Sequence, residues 1–187
     1  NPGTTAANLN GWKFTAGIDY SFASVTLDAG AYLVVAADVA TFQVKYPGVA
    51  NVVGGWIGHL SNSGEALTLR DAANVVSDKV EYADEGDWGV RERGVLDRGH
   101  QGWVWTSLAD GGGRSLELLS TSMPNEFGQN WSASTTVQGT PGAANSVQAA
   151  NIAPLVLDVA HSPAIPRSSD EVTVTAQLVD ELATGLT

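Results

Sequence analysis

The chain has 187 residues and carries 20 acidic against 9 basic side chains, a formal net charge of −11, which sets it against phosphate backbones and anionic membrane surfaces as general partners. Cysteine is absent, so disulfides, thiol chemistry and cysteine-ligated metals are excluded. No apolar run approaches the roughly 20 residues needed to span a bilayer as a helix, and the length suits one or two domains. The first residues, Asn1-Pro-Gly3, form a turn signal, and the expectation is that earlier strand material of the same domain is missing. Short alternating segments follow, separated by Gly, Asn and Asp turns in the pattern of a sandwich or barrel. Strands are expected over 9–15, 18–22, 31–36, 51–57, 66–70, 75–82, 103–107, 115–119 and 131–134.

One helix interrupts them. Asp38 is a good N-cap, the segment from Val39 to Tyr46 is helix-compatible, and Pro47-Gly48 stops it. Val39, Phe42 and Tyr46 fall on one stripe, which predicts a helix lying over a sandwich edge. Asp71-Ala-Ala-Asn74 reads as a tight hairpin turn in which Asn74 takes the left-handed conformation. Trp12, Tyr32, Val34, Leu67, Leu69, Leu116, Leu118 and Trp131 occupy the inward phase of their strands and form the expected core, with Thr68 and Arg70 on the outer face. Trp103 and Trp105 share one side at period two and read as an inward pair, whereas Trp88, inside a loop, is the freest tryptophan.

The exceptional stretch is 84–102, longer than ordinary connections and therefore either functional or disordered. Arg91, Arg93 and Arg98 concentrate positive charge here on an acidic chain, after Asp84, Glu85 and Asp87. Three readings follow. Arginine–carboxylate contacts hold the loop in a compact shape; Trp88, Arg91, Arg93, Arg98 and His100 form a surface for a partner; or Asp84, Glu85 and Asp87 hold calcium, although their spacing fits no calcium-loop motif.

Catalytic signatures are missing. His59, His100 and His161 have no metal-ligand spacing, no Gly-x-Ser-x-Gly elbow occurs, and Gly111-Gly112-Gly113-Arg114 runs into a strand rather than a phosphate-binding helix. The reading is a non-enzyme without cofactor or metal. Beyond residue 146, a linker at 147–154 leads to 155–187, where Asp158-x-x-His161-Ser-Pro163 and Val172-Thr-Val-Thr-Ala176 resemble the first strands of a bacterial immunoglobulin-like or fibronectin-like module.

Residues 1–146 themselves carry an ordered set of motifs: Asn8-Leu-Asn-Gly-Trp12, Tyr32-Leu-Val-Val-Ala36, Leu60-Ser-Asn-Ser-Gly-Glu65 leading to Leu67-x-Leu69-x-Asp71, Asp110-Gly-Gly-Gly-Arg-Ser-Leu-Glu-Leu-Leu119, Asn130-Trp131, and Gly139-Thr-Pro-Gly-Ala-Ala-Asn145. The set resembles the lamin-tail domain, which also occurs in exported bacterial multidomain proteins. Every matched position is a turn or core position and none is a reacting group. In the Leu-Ser-Asn-Ser-Gly-Glu turn, the Asn62 side chain is expected to satisfy local backbone groups.

The resemblance implies an all-β, immunoglobulin-like β-sandwich with one short peripheral helix and a strand-rich C-terminal stub. It implies a structural or adhesive module, extracellular or at a cell surface, that binds a protein partner or neighbouring domains of its own polypeptide. Neither nucleic acid nor direct membrane insertion is expected. Rival readings are a carbohydrate-binding module using Trp88, Trp56 or Trp103, and an accessory domain of a hydrolase. An open sheet edge at the N-terminus is expected to be completed by 172–179, either within the chain or across a strand-exchanged homodimer.

Overall fold

The computed structural model describes residues 1–182, so the last five residues of the expected 155–187 module lie outside the described residues. The chain is all-β and sandwich-like. In order, β1 (Ala7–Asn8), β2 (Lys13–Ala16), β3 (Ile18–Ser21), β4 (Thr26–Leu27) and β5 (Val34–Ala36) precede α1 (Val39–Lys45), the one α-helix among the described residues. Then come β6 (Val52–Gly54), β7 (Ile57–Gly58), β8 (Gly64–Arg70), β9 (Val76–Ala83), β10 (Val90–Asp97), β11 (His100–Thr106), β12 (Leu116–Leu118) and β13 (Trp131–Ala133). The C-terminal part adds β14 (Leu155–Ser162) and β15 (Thr173–Val179).

One layer is a five-stranded sheet in the order β7-β3-β2-β8-β9. The pairs β1–β4, β5–β6 and β12–β13 oppose it, since Leu27, Val35 and Leu118 from those pairs line the same interior cleft as Phe14 and Leu69 of the sheet. That cleft holds about 680 Å³ and opens to solvent. Its openness corrects the expected core: of the eight residues assigned to it, seven are only half-buried and Tyr32 is 41% exposed. Tyr32 escapes because strand β5 starts two residues later, at Val34. The buried apolar residues are instead Leu9, Ile18, Phe22, Ala36, Met123 and Leu155, of which Leu155 alone is fully buried. Thr68, expected to face water, is buried because β8 is an inner strand and register places Ala16 and Lys79 on either side of it.

Helix α1 forms where the residues predict it. Asp38 accepts a hydrogen bond from Thr41 N at 2.6 Å, and that bond draws its carboxyl below the usual aspartate range. The helix has a topological task the pattern does not reveal: β5 and β6 pair in parallel, Val34 with Val52 through Ala36 with Gly54, and a parallel pair needs a crossover connection. The expected 51–57 strand is consequently two strands. Gly55, at φ +91°, turns the chain between them, and its N–H donates to Ala36 O. Thereafter β7 joins β3 in the other layer. At 71–74 the hairpin turn is as predicted, with Asn74 at φ 67°.

Buried polar side chains lace the sandwich together. Asn130 is fully buried; its amide donates to Ser120 O, Met123 O and Pro124 O, and its oxygen accepts from Ser120 N. Glu117, on β12, accepts from Ser115 Oγ, Thr140 Oγ1, Ser146 N and Ser146 Oγ. Burial alone raises its pKa, but the four donors prevail and hold the carboxyl below the usual glutamate range. These bonds dock 140–149 along β12, helped by Asn145 Nδ2 to Leu118 O and Ala149 N to Leu119 O.

Two antiparallel ribbons, β10–β11 and β14–β15, stand outside these layers as separate two-stranded sheets. They help explain an exposed surface of 12069 Å² for a 19.4 kDa chain, against about 8,500 Å² for a compact protein of that mass. Of the two arrangements expected for 172–179, the completion of the sandwich edge within the chain is corrected: β15 pairs with β14, Leu155 with Val179 through Ser162 with Thr173, and among the described residues with no strand of the sandwich.

Candidate functional site

The stretch read as a long loop is mostly the β10–β11 hairpin. Its turn is Arg98-Gly99, with φ of 48° and 83°, a two-residue turn of the primed kind whose twist matches its strands. Arg98 and Gly99 separate Asp97 from His100, and register runs back through Leu96 opposite Gln101 to Arg93 opposite Trp103 and Arg91 opposite Trp105. A bulge between Arg93 and Leu96 inserts Gly94-Val95, and Gln101 Nε2 ties it by donating to Gly94 O at 2.9 Å.

Alternation along the strands then sorts the side chains. Arg91, Arg93, Leu96, Gln101, Trp103 and Trp105 fall on one face; Val90, Glu92, Asp97, His100, Val104 and Thr106 fall on the other. The Arg91 and Arg93 guanidinium carbons lie 4.3 and 4.0 Å from the centre of the Trp103 ring, within cation–π range. Trp103 is 48% exposed and Trp105 37%, because a two-stranded ribbon has no second layer to cover them. The inward pair expected for these tryptophans is therefore wrong.

The expected arginine–carboxylate scaffold is also replaced. The one ion pair among the described residues is Lys79–Glu81 at 3.2 Å, within β9. Arg91 and Arg93 stack on an aromatic ring instead and form no ion pair among the described residues. Asp84, Glu85 and Asp87 do not converge; among the described residues no three acidic or histidine side chains gather to hold a metal. Asp87 accepts from Gln129 Nε2 instead.

The structure divides the five sequence-assigned residues. Arg91 and Arg93 share the aromatic face, Arg98 sits exposed at the tip, and His100 lies on the opposite face. Trp88 is neither free nor part of the face. It belongs to a 3-10 turn, Gly86–Trp88, is half-buried, and packs on Trp131 with ring centres 5.8 Å apart. Gly128 lets that turn approach: a Cβ there would meet Asp87 O at 2.7 Å and Trp88 N at 2.7 Å. Trp88 thus fastens the hairpin's base to the sandwich. The signal for the true arrangement was present, because Arg-x-Arg and Trp-x-Trp lie on either side of Asp97-Arg-Gly-His100, offset by one residue that the bulge takes up, as cross-strand neighbours around a two-residue turn can.

A groove of about 610 Å³ runs beneath the other face of the hairpin, between Val90, Thr106 and Trp131. A smaller one, about 220 Å³, borders Tyr82, Asp84 and Trp88. The Tyr82 hydroxyl donates to Ser61 O and approaches Glu65 Oε1; burial and the neighbouring Glu65 push its pKa up to about 12. In the preceding turn, Glu65 accepts from Ser61 N and Ser61 Oγ accepts from Ser63 N. Those groups do the local work expected of Asn62, whose side chain is exposed.

No family model, no curated protein and no solved structure matches this chain.

Proposed function

We propose that the protein is a non-catalytic interaction module, a lamin-tail-like sandwich that holds the β10–β11 ribbon out to a protein partner or to neighbouring domains of its own polypeptide. The observation that carries this reading is the ribbon's exposed face, where Arg91, Arg93, Trp103 and Trp105 stand together without a covering layer. Tryptophan and arginine dominate the energetics of protein interfaces, and a stacked guanidinium is pre-oriented, so ordering it on binding costs less. The buried polar groups support a scaffold role for the rest of the chain. Asn130 and Glu117 spend their hydrogen bonds on neighbouring backbone and hydroxyls. Placement outside the cell follows from the family resemblance of the turn and core motifs.

Selection from a displayed peptide library, run beside a panel of polysaccharides, tests this reading. The expected result is enriched peptides that bind the wild type and lose binding with Trp103→Ala. Binding to polysaccharides alone, lost in the same variant, would replace it with the carbohydrate-binding reading.

A further inference from the structure

The pleat segregates charge on the β10–β11 ribbon. Both acidic residues of β10, Glu92 and Asp97, lie on one face, and Arg91 and Arg93 lie on the other. The arginine face thus carries two positive charges and no carboxylate, on a chain whose net charge is −11. Arg91 and Arg93 are successive residues on that face, so their Cα atoms are about 6.6–6.8 Å apart along the strand. Beside them, β10 pairs with β11 and, among the described residues, with no other strand, so alternate N–H and C=O groups point outward along its free side, the arrangement that accepts an added strand.

We propose that this edge binds an acidic, extended protein segment, which adds to β10 as a third strand and sets carboxylates at every second residue against Arg91 and Arg93. The proposal rests on the protein-binding reading above and deepens it. Carboxylates two residues apart in a strand have the same repeat as the two arginines, and each guanidinium, held over Trp103, offers a planar fork that fits a carboxylate bidentately. A second copy of this chain is a poor occupant of the same edge. A two-fold antiparallel pairing that continues the sheet keeps each face together, so residues of equal parity stand opposite one another. Centring on residue 91, 92 or 93 places an arginine directly opposite an arginine in every case, and like charges so placed are destabilising.

The test uses the whole chain and a synthetic peptide alternating glutamate with threonine. Controls are a peptide of the same composition with its glutamates in one block, and a peptide alternating lysine with threonine. Calorimetry at about 0.15 M salt, where exposed charges are screened beyond about 8 Å, is combined with amide-shift mapping. The alternating acidic peptide is expected to bind and to shift β10 amides, with affinity falling about tenfold or more in Arg91→Ala/Arg93→Ala as charge-assisted contacts are lost. Because those variants also remove the stacking on Trp103, Arg91→Glu/Arg93→Glu provides the second arm, and its preference should switch to the lysine peptide.

Equal binding of the alternating and blocked peptides, or no switch in the charge-reversed variant, overturns the proposal. So do library peptides that seat on the ribbon without carboxylates, although the protein-binding reading then survives. If no peptide of any kind seats on the ribbon, both fall.

Discussion

The ribbons β10–β11 and β14–β15 each contain six cross-strand pairs interrupted by one bulge, between Arg93 and Leu96 in the first and between Leu157 and Ala160 in the second. Each is rooted on the same short segment of the sandwich. Trp88 packs on Trp131 beneath the first ribbon, and Leu155, fully buried, starts the second. Between them Gln129 bonds to both roots, donating to Asp87 Oδ2 and Val156 O and accepting from Val156 N. The side chains above the roots differ. The exposed residues of β14–β15 include Val156, Val159, Val174 and Leu178, without arginine or tryptophan, whereas β10–β11 carries the stacked arginines. A lone two-stranded ribbon is marginal in water, so exposure alone does not distinguish them. The difference lies in what each ribbon uses across its strands: guanidinium–indole stacking in one, small β-prone residues in the other.

Removing the common root should abolish the distinction. Asn130→Ala deletes an amide that serves three carbonyls and one N–H in a fully buried site, and unsatisfied buried groups cost about 1–3 kcal/mol each. A loss of about 3 kcal/mol or more is expected in denaturant unfolding, with protection of both ribbons falling together in hydrogen exchange.

Glu117→Gln acts on the sandwich in a pH-dependent way. The folded carboxyl titrates below its ordinary value, so its contribution is complete above that value of 4.5 and is lost as the pH falls through the lower, folded one. The wild type should therefore weaken in acid below about pH 4.5 more steeply than the variant. At pH 7 the variant should be less stable by about 1–3 kcal/mol. Denaturant midpoints from pH 7 to pH 3 check both.

Trp103→Ala should separate the ribbons. Losing the ring under Arg91 and Arg93 is expected to weaken β10–β11 by about 1 kcal/mol, so that its amides exchange faster while those of β14–β15 do not change. The smallest effect belongs to Gln129→Ala, about 1 kcal/mol or less for partly exposed hydrogen bonds. It should speed exchange at Val156 N and loosen the bases of both ribbons. Acceleration confined to one ribbon would show that Gln129 does not join them.

Much of the fold was legible along the chain. Turn chemistry placed Asp38 and Asn74, because capping and positive φ depend on a few adjacent residues, whereas the turn at Gly55 was missed inside an expected 51–57 strand. The long stretch at 84–102 also stood out, with Arg91, Arg93 and Arg98 already in view. Its internal arrangement was misread because arginine can satisfy itself with a carboxylate or with an aromatic ring, and only pairing register selects between them. Arg93 meets Trp103 because a bulge and a two-residue turn bring them opposite each other.

Local sequence by itself determined the all-β character, the capped helix α1 and the 71–74 turn, since each is decided by interactions within a few residues. Tertiary structure alone decided which apolar faces were covered. Trp105 and Leu69 both alternate like core residues, yet β11 has one partner strand and no opposing layer, whereas β8 lies between β2 and β9 and faces the sandwich cleft. A period of two reveals that a strand has two different faces; which of them meets water depends on strands far away in the chain.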